Sequence, residues 1–284
     1  EAITYSFVDP ELQARMFPEE EGVPLANPIS SEMAVMRVSL WPGLLKALRH
    51  NLNRQQERVL LFESGLNFAT QDSEIKQESC VGGVACGGRW PEQWALPAEP
   101  WDFYDMKGVV ESVLALGGRG EDFRFVAAEH PALHPGQSAR IELDGEAAGW
   151  MGTLHPSLAA EFGVPAGTQL FELRLAAVQA GRIAAFEPIS KFPAIRRDLA
   201  VVVEEETPAQ RIRELVAEAA GPLLRDLAVF DLYRGEGIES GRKSVALGLI
   251  LQDSSRTLTD EDIDGVVADV TALLHKELGA SLRE

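Results

Sequence analysis

From Asp198 to the end of the chain, the apolar residues switch between a period of two and a helical period, and the order of those switches is the tightest constraint on the fold. "DLAVVVEE" (198–205) reads as a strand. Thr207, with Pro208 in the first helical position and Gln210 three residues on, reads as a capping box. The helix it opens carries the stripe Ile212, Leu215, Val216 and Ala219, and Gly221 ends it. "LAVFDLYRG" and "KSVALGLIL" are two strands joined by the polar loop "EGIESGR". Thr259 caps a second helix whose first turn, Asp260, Glu261 and Asp262, suits the helix dipole. Its stripe is Ile263, Val266, Val267, Val270 and Leu274, and "GASLRE" supplies a last strand. A β-α-β-β-α-β order places both helices on one sheet face and leaves the other uncovered.

This is the ferredoxin-like arrangement, and its second strand is unusual. Strict alternation sends Ala228, Phe230 and Leu232 one way and Val229, Asp231 and Tyr233 the other. The tail's cations collect at strand ends and loops: Lys191, Arg196, Arg197, Arg234, Arg242, Lys243 and Arg256. Gathered around one open face, each can meet a phosphate. Tyr233 can stack on an unpaired base, and Asp231 can accept hydrogen bonds from a base edge. From spacing alone a plainer reading stands beside this one: scattered surface charge, with Tyr233 a half-buried sheet residue.

The first two-thirds alternates strand-like and helix-like pieces. "AITYSFVD" is a strand. "SLWPGLLKALRHNLNRQ" is a helix that Ser39 or a neighbour caps, with Pro42 in its first turn and Trp41, Leu44, Leu45, Leu48 and Leu52 on one stripe. "RVLLFESGLNF" is a strand in which Gly65 marks a turn or bulge. "CVGGVACGG" is a strand between loops, and "DFYDMKGVVESVLALGG" is a helix that Gly117 ends. "ARIELDGEAAGWMG" is a hairpin turning at Asp144-Gly145, and "HPSLAAEFG" is a short helix. "FEPISKFPAIRRD" reads as a linker, which divides the chain into domains at 1–188 and 189–284.

Composition narrows the function. With 26 Lys plus Arg against 44 Asp plus Glu, the net charge is -18, so any nucleic-acid contact is a local patch on a repelling body. No apolar run approaches the roughly 18 residues that span a bilayer, and no signal peptide stands at the start. The start lacks an initiator Met, which reads as a portion of a longer chain, although processing gives the same beginning. Cys80 and Cys86 lack the spacing of a zinc or redox pair, and the five histidines form no metal motif. Two reduced cysteines suit a cytoplasmic protein. No nucleophile elbow, phosphate loop or dinucleotide fingerprint is present. Composition and motifs thus point to no catalytic and no metal residues, and leave an RNA-binding patch on the tail beside the plainer reading.

The tail, "FPAIRRDLAVVV" through "LLRDLAVFDLYRGEGIESGRKSVALGLILQDSSRTLTDEDID", resembles the ferredoxin-fold anticodon-binding domain that ends the beta chain in the bacterial phenylalanine–tRNA ligase family. "EAITYSFVDPEL", "NPISSEMAVMRVSLWPGLLKALRHNLNRQ", "YDMKGVVE" and "HPGQSARIELDGEAAGWMGTLHP" resemble that chain's class II synthetase-core-like module. The resemblance implies an α+β chain: an antiparallel-sheet core followed by the βαββαβ domain. It implies Asp231 and Tyr233 as base-reading residues, Arg197, Arg234, Lys243 and Arg256 as backbone contacts, and Ser244 beside them. It implies as partners a tRNA anticodon and a catalytic alpha chain, in an assembly of two alpha and two beta chains that uses ATP and Mg2+, with neither DNA nor membrane involved. A working class II core needs an Arg in its f-R-x-E motif and a Gly-rich motif ending in Arg. "LLFESGLNF" and "LFELRLAAV" carry neither, so the core-like module is expected to be a scaffold without cofactors of its own. The rival expectation is a ferredoxin-like regulatory module that binds a small amino acid.

Overall fold

The computed structural model describes residues 1–71, 74–183, 185–186 and 188–283. Ala184 and Glu187, in or beside the stretch read as a linker, and Glu284, at the end of the expected last strand, lie outside them. The chain forms two compact units, Glu1–Ala184 and Ala185–Glu284.

In the first unit, β1 (Phe7–Val8), α1 (Pro10–Met16) and β2 (Val35–Met36) precede α2 (Trp41–Leu52). The expected first strand is short: only Phe7 and Val8 pair, with Met36 and Val35. The residues before it run beside a longer strand, Ala2 N donating to Phe62 O at 2.8 Å. Ser39 accepts from Trp41 N at 3.1 Å at the start of α2. Trp41, Leu44, Leu45 and Leu48 are all buried, as their stripe requires.

A six-stranded antiparallel sheet follows: β3 (Val59–Gln71), β4 (Glu74–Cys86), then α3 (Phe103–Leu114), β5 (Phe123–Ala127), β6 (Leu133–Leu143), β7 (Glu146–Leu154), α4 (Pro156–Phe162), β8 (Gln169–Arg174) and α5 (Leu175–Gln179). The strand order is β3-β4-β8-β7-β6-β5. Gly145 takes φ +84° in the β6–β7 turn, beside Asp144 at φ +54°, as the Asp-Gly signal predicts. Both sheet faces are covered. One core joins Trp41, Leu44 and Leu48 of α2 to Leu158 and Phe162 of α4, Cys80, Val84 and Leu170. The other joins Met106, Val110 and Leu114 of α3 to Ile141, Met151, Phe171 and Leu173. Gly65 is neither turn nor bulge: it pairs with Cys80 in unbroken register. A Cβ there would meet Arg37 Nη2 at 2.3 Å. The missing side chain makes room for a buried guanidinium that donates to Glu63 at 2.8 Å and to Leu66 O at 2.9 Å.

The second unit runs β9 (Ile195–Glu204), α6 (Ala209–Ala220), β10 (Leu224–Tyr233), β11 (Arg242–Leu251), α7 (Asp260–Leu278) and β12 (Ser281–Leu282). The sheet order is β10-β11-β9-β12, all antiparallel, which is the ferredoxin-like topology. Ile212, Leu215 and Val216 of α6 and Ile263, Val266, Val270 and Leu274 of α7 pack with Val201, Val203, Leu247 and Leu249 in one core, so both helices cover one face. Thr259 caps α7 as read, and the structure adds a full capping box: Thr259 and Asp262 exchange side-chain to backbone bonds. The α6 box does not form. That helix begins at Ala209 with Pro208 as an extended N-cap and no side-chain bond to it, and Gln210 instead donates to Glu214. Thr207 stands one residue too far upstream to reach the orphan amides.

Candidate nucleic-acid interface

Face assignment in the second unit follows from register, because paired residues on antiparallel strands share a face. Val245, Leu247 and Leu249 are buried in the helix-side core, so Ser244, Ala246 and Gly248 point to the other face. Tyr233 pairs with Ser244, Asp231 with Ala246 and Ala228 with Gly248, while Leu232 pairs with Val245 and Val229 with Leu247. The ladder skips Phe230 between Val229 and Asp231. This β-bulge breaks the strict alternation expected from the sequence. Phe230 does not oppose Asp231 and Tyr233: Arg196, on the open face of β9, lies 5.2 Å from its ring centroid. Phe230 therefore joins the open face, where it is 52 % exposed. The spacing of the helix-side residues, Leu227, Val229 and then Leu232, is the trace an inserted residue leaves in sequence.

The floor of this face is built from small side chains: Ala200 opposite Ala246, and Gly248 opposite Asp198. A Cβ at Gly248 would meet the Arg196 guanidinium at 3.1 Å, so glycine lets that side chain lie flat on the sheet. Arg196 also donates to Asp198 at 2.7 Å. At the other end of the face, Arg283 lies 4.3 Å from the centroid of the Tyr233 ring, and its amide donates to Ala200 O. Ser281, Val202, Ser244 and Tyr233 form one cross-strand row. The Tyr233–Arg283 pair lies over it, which accounts for Ser244 being 3 % exposed on a face without a helix. The Tyr233 hydroxyl donates to Glu236 O at 3.1 Å. The face thus presents two aromatic–guanidinium pairs with exposed Asp231 between Phe230 and Tyr233.

The backbone-contact candidates lie elsewhere. Arg197 pairs with Leu249 on the helix side and sits 3.7 Å from Asp260 at the start of α7. Lys243 pairs with Val203, also helix-side, and donates to Glu205 O at 2.6 Å. Arg234 donates twice to Glu205, at 2.7 and 2.9 Å, and holds that carboxyl below its ordinary range. Arg256 forks onto Asp262 at 2.6 and 2.8 Å and depresses it further. Each of these four is engaged by an acidic side chain or a carbonyl. Among the described residues, the cations lying against rings on the open face are Arg196, one of the entrance cations, and Arg283, which the sequence did not single out; Arg242 shares that face at its edge and donates to Val202 O and Gly279 O at 3.0 Å.

The first unit has its own cleft, of about 950 Å³, on the α2 side of the six-stranded sheet. Phe17, Trp41, Phe68, His130 and Trp150 line it together with Glu20, Glu78, Glu172, Lys76 and Arg174. Trp41, His130 and Trp150 meet edge to face at centroid distances of 5.2 and 5.0 Å. Glu172, in one cross-strand row with Trp150 and Gly82, accepts from Leu40 N at 2.6 Å, Ser39 at 3.0 Å and Asn67 at 3.0 Å. Burial pushes its carboxyl up to about 7 against those three donors. Burial also pulls His130 down to about 4, so its ring adds no charge. Arg174 lies 3.8 Å from Glu78. Acids outnumber cations along this cleft, the reverse of what a triphosphate requires. No helix among the described residues is long and apolar enough to cross a membrane.

Comparison with known proteins identifies both units. Residues 1–175 match the family described as "Phenylalanyl tRNA synthetase beta chain CLM domain", and residues 190–283 match "Ferredoxin-fold anticodon binding domain". A phenylalanine–tRNA ligase beta subunit from Pseudomonas fluorescens is 49% identical over 284 residues, 100% of this chain and 36% of that one. A beta subunit from Nitrosococcus oceani is 48% identical over 285 residues with the same shares. The chain thus spans 36% of the length of these relatives. A solved pyrrolysyl tRNA synthetase from Desulfitobacterium hafniense aligns with a TM-score of 0.45 and 11% identity over 62% of this chain and 58% of its own, too partial a likeness to carry an argument. With one family covering more than half of its length and a second domain following in order, the chain belongs to the phenylalanyl-tRNA synthetase beta chain family.

Proposed function

We propose that this chain is the scaffold and anticodon-reading part of a phenylalanine–tRNA ligase beta chain. The complete assembly, two alpha and two beta chains in the cytoplasm, charges tRNA with phenylalanine using ATP and Mg2+, and the chemistry belongs to the alpha chain. The first unit packs against the alpha chain and binds no nucleotide, in keeping with the acidic lining of its cleft. The second unit reads unpaired anticodon bases on its open sheet face.

The observation that carries this reading is the pair of aromatic–guanidinium contacts on an uncovered face of an anticodon-binding fold. Tyr233 and Phe230 stack on bases, Asp231 accepts from a base edge between them, and Ser244 supports Tyr233 from below. Arg196 and Arg283 supply charge at the face itself. Arg197, Arg234, Lys243 and Arg256 reach RNA backbone only by exchanging a present partner for a phosphate, which tempers affinity and favours selectivity. A regulatory module for a small amino acid is not favoured, because the unit matches the anticodon-binding family over its length. The test is Tyr233→Ala in the assembled ligase. The expected result is a raised KM for tRNA with amino-acid activation nearly unchanged; an unchanged tRNA KM refutes the stacking role.

A further inference from the structure

The cleft of the first unit holds more than a scaffold needs. Burying a carboxylate is costly unless it is compensated, yet Glu172 stands on a central strand with a backbone amide, a hydroxyl and an amide all aimed at it. Asn67, 7 % exposed and lining the same cleft, donates to Glu172 and leaves its own Oδ1 without a hydrogen-bond partner. Buried amide oxygens are ordinarily satisfied, so this acceptor calls for a donor. Glu20 and Glu78 line the cleft too; burial and the charge of Glu78 both raise Glu20. Lys76 and Arg174 also line the cleft, but each lies within 3.8 Å of an acid, Glu74 and Glu78 respectively, so the capacity left unmatched is on the acceptor side. Phe17, Val38, Trp41, Phe68 and Trp150 supply apolar and π surface around it.

We infer that this cleft binds a small organic ammonium, a primary amine carried on an apolar or aromatic body. The volume, about 950 Å³, is at the upper end of small-molecule sites. An ammonium brings the donors that Asn67 and the carboxylates lack, and aromatic walls attract it further. A metal ion fits less well: among the described residues no group of three His, Cys, Asp or Glu side chains is placed to hold one. An anion meets more acids than bases, with Arg174 already near Glu78.

The experiment titrates the chain calorimetrically with 2-phenylethylammonium, 2-phenylethanol and phenylacetate. The amine is expected to saturate with a Kd below about 1 mM, the alcohol to bind at least about tenfold more weakly, and phenylacetate not to bind. Glu172→Gln is expected to weaken the amine about tenfold or more, and Glu78→Gln, at a more accessible position outside the core, to weaken it severalfold with the fold intact by circular dichroism. Failure of the amine to saturate, equal affinity for the alcohol, or amine binding indifferent to both substitutions overturns the inference. None of these outcomes depends on tRNA, so the inference stands or falls apart from the anticodon reading.

Discussion

The two sheets of this chain are both antiparallel, but one is covered on both faces and the other on one. Within the covered sheet's unit, the most deeply buried ion pair is fully met. Arg37 and Glu63 are each 3 % exposed, and Thr4, Leu66 O and each other's termini supply their bonds. In the half-covered sheet, Arg196 and Arg283 lie against aromatic rings in reach of water, held by contacts that a ligand can replace. The same ladder therefore serves rigidity in one unit and exchange in the other. The difference comes from what stands above the strands.

The strongest way to break that contrast is to unpair the buried ion pair. Arg37→Met leaves Glu63 buried without its cation and is expected to destabilise the first unit by about 3–5 kcal/mol in denaturant unfolding. Glu172 sharpens the contrast through pH. Its carboxyl titrates near 7 in the folded chain against an ordinary 4.5, so the folded state holds the proton more tightly. That stabilisation is complete below pH 4.5 and is lost as pH rises through about 7, a difference of about 3 kcal/mol. Stability measured from pH 4.5 to 8 is expected to fall by that increment in the parent, and the increment is expected to vanish in Glu172→Gln.

On the open face, effects move from stability to binding. Phe230→Ala is expected to weaken tRNA binding by the assembled ligase by about 1–3 kcal/mol while leaving the unfolding midpoint of the second unit nearly unchanged. A large loss of stability with no loss of binding would make Phe230 structural. The smallest effect separates face cations from engaged ones. Arg196→Ala and Arg283→Ala are each expected to reduce the slope of log K against log salt by about 0.7–0.9, and Arg256→Ala, whose guanidinium must first leave Asp262, to reduce it by less.

Much of this was legible in the residues. The stripes of α2, α6 and α7 and the Thr259 cap were readable because local periodicity and capping are local physics. The breaks have local causes too. Gly65 looks like a bulge in isolation and is explained only by a guanidinium that arrives from Arg37. Thr207 looks like a cap until Pro208 occupies that place with an extended backbone. Arg196 and Arg197 are indistinguishable as a basic pair. The start of β9 at Ile195 sends them to opposite faces. The roles of Phe230 and Arg283 depend on pairings across the sheet, which period-two reading assumes to be regular.

The bulge at Phe230 also bears on how this surface can be altered. Because the ladder skips that residue, Leu232 and Val229 keep their side of the sheet, opposite Val245 and Leu247, whether or not it is there. Deleting Phe230 would restore an even strand and remove one ring from the surface without turning any neighbour over. The second unit therefore carries an interchangeable side chain on the edge strand of its exposed face. Recognition there can be retuned, by drift or by design, independently of folding.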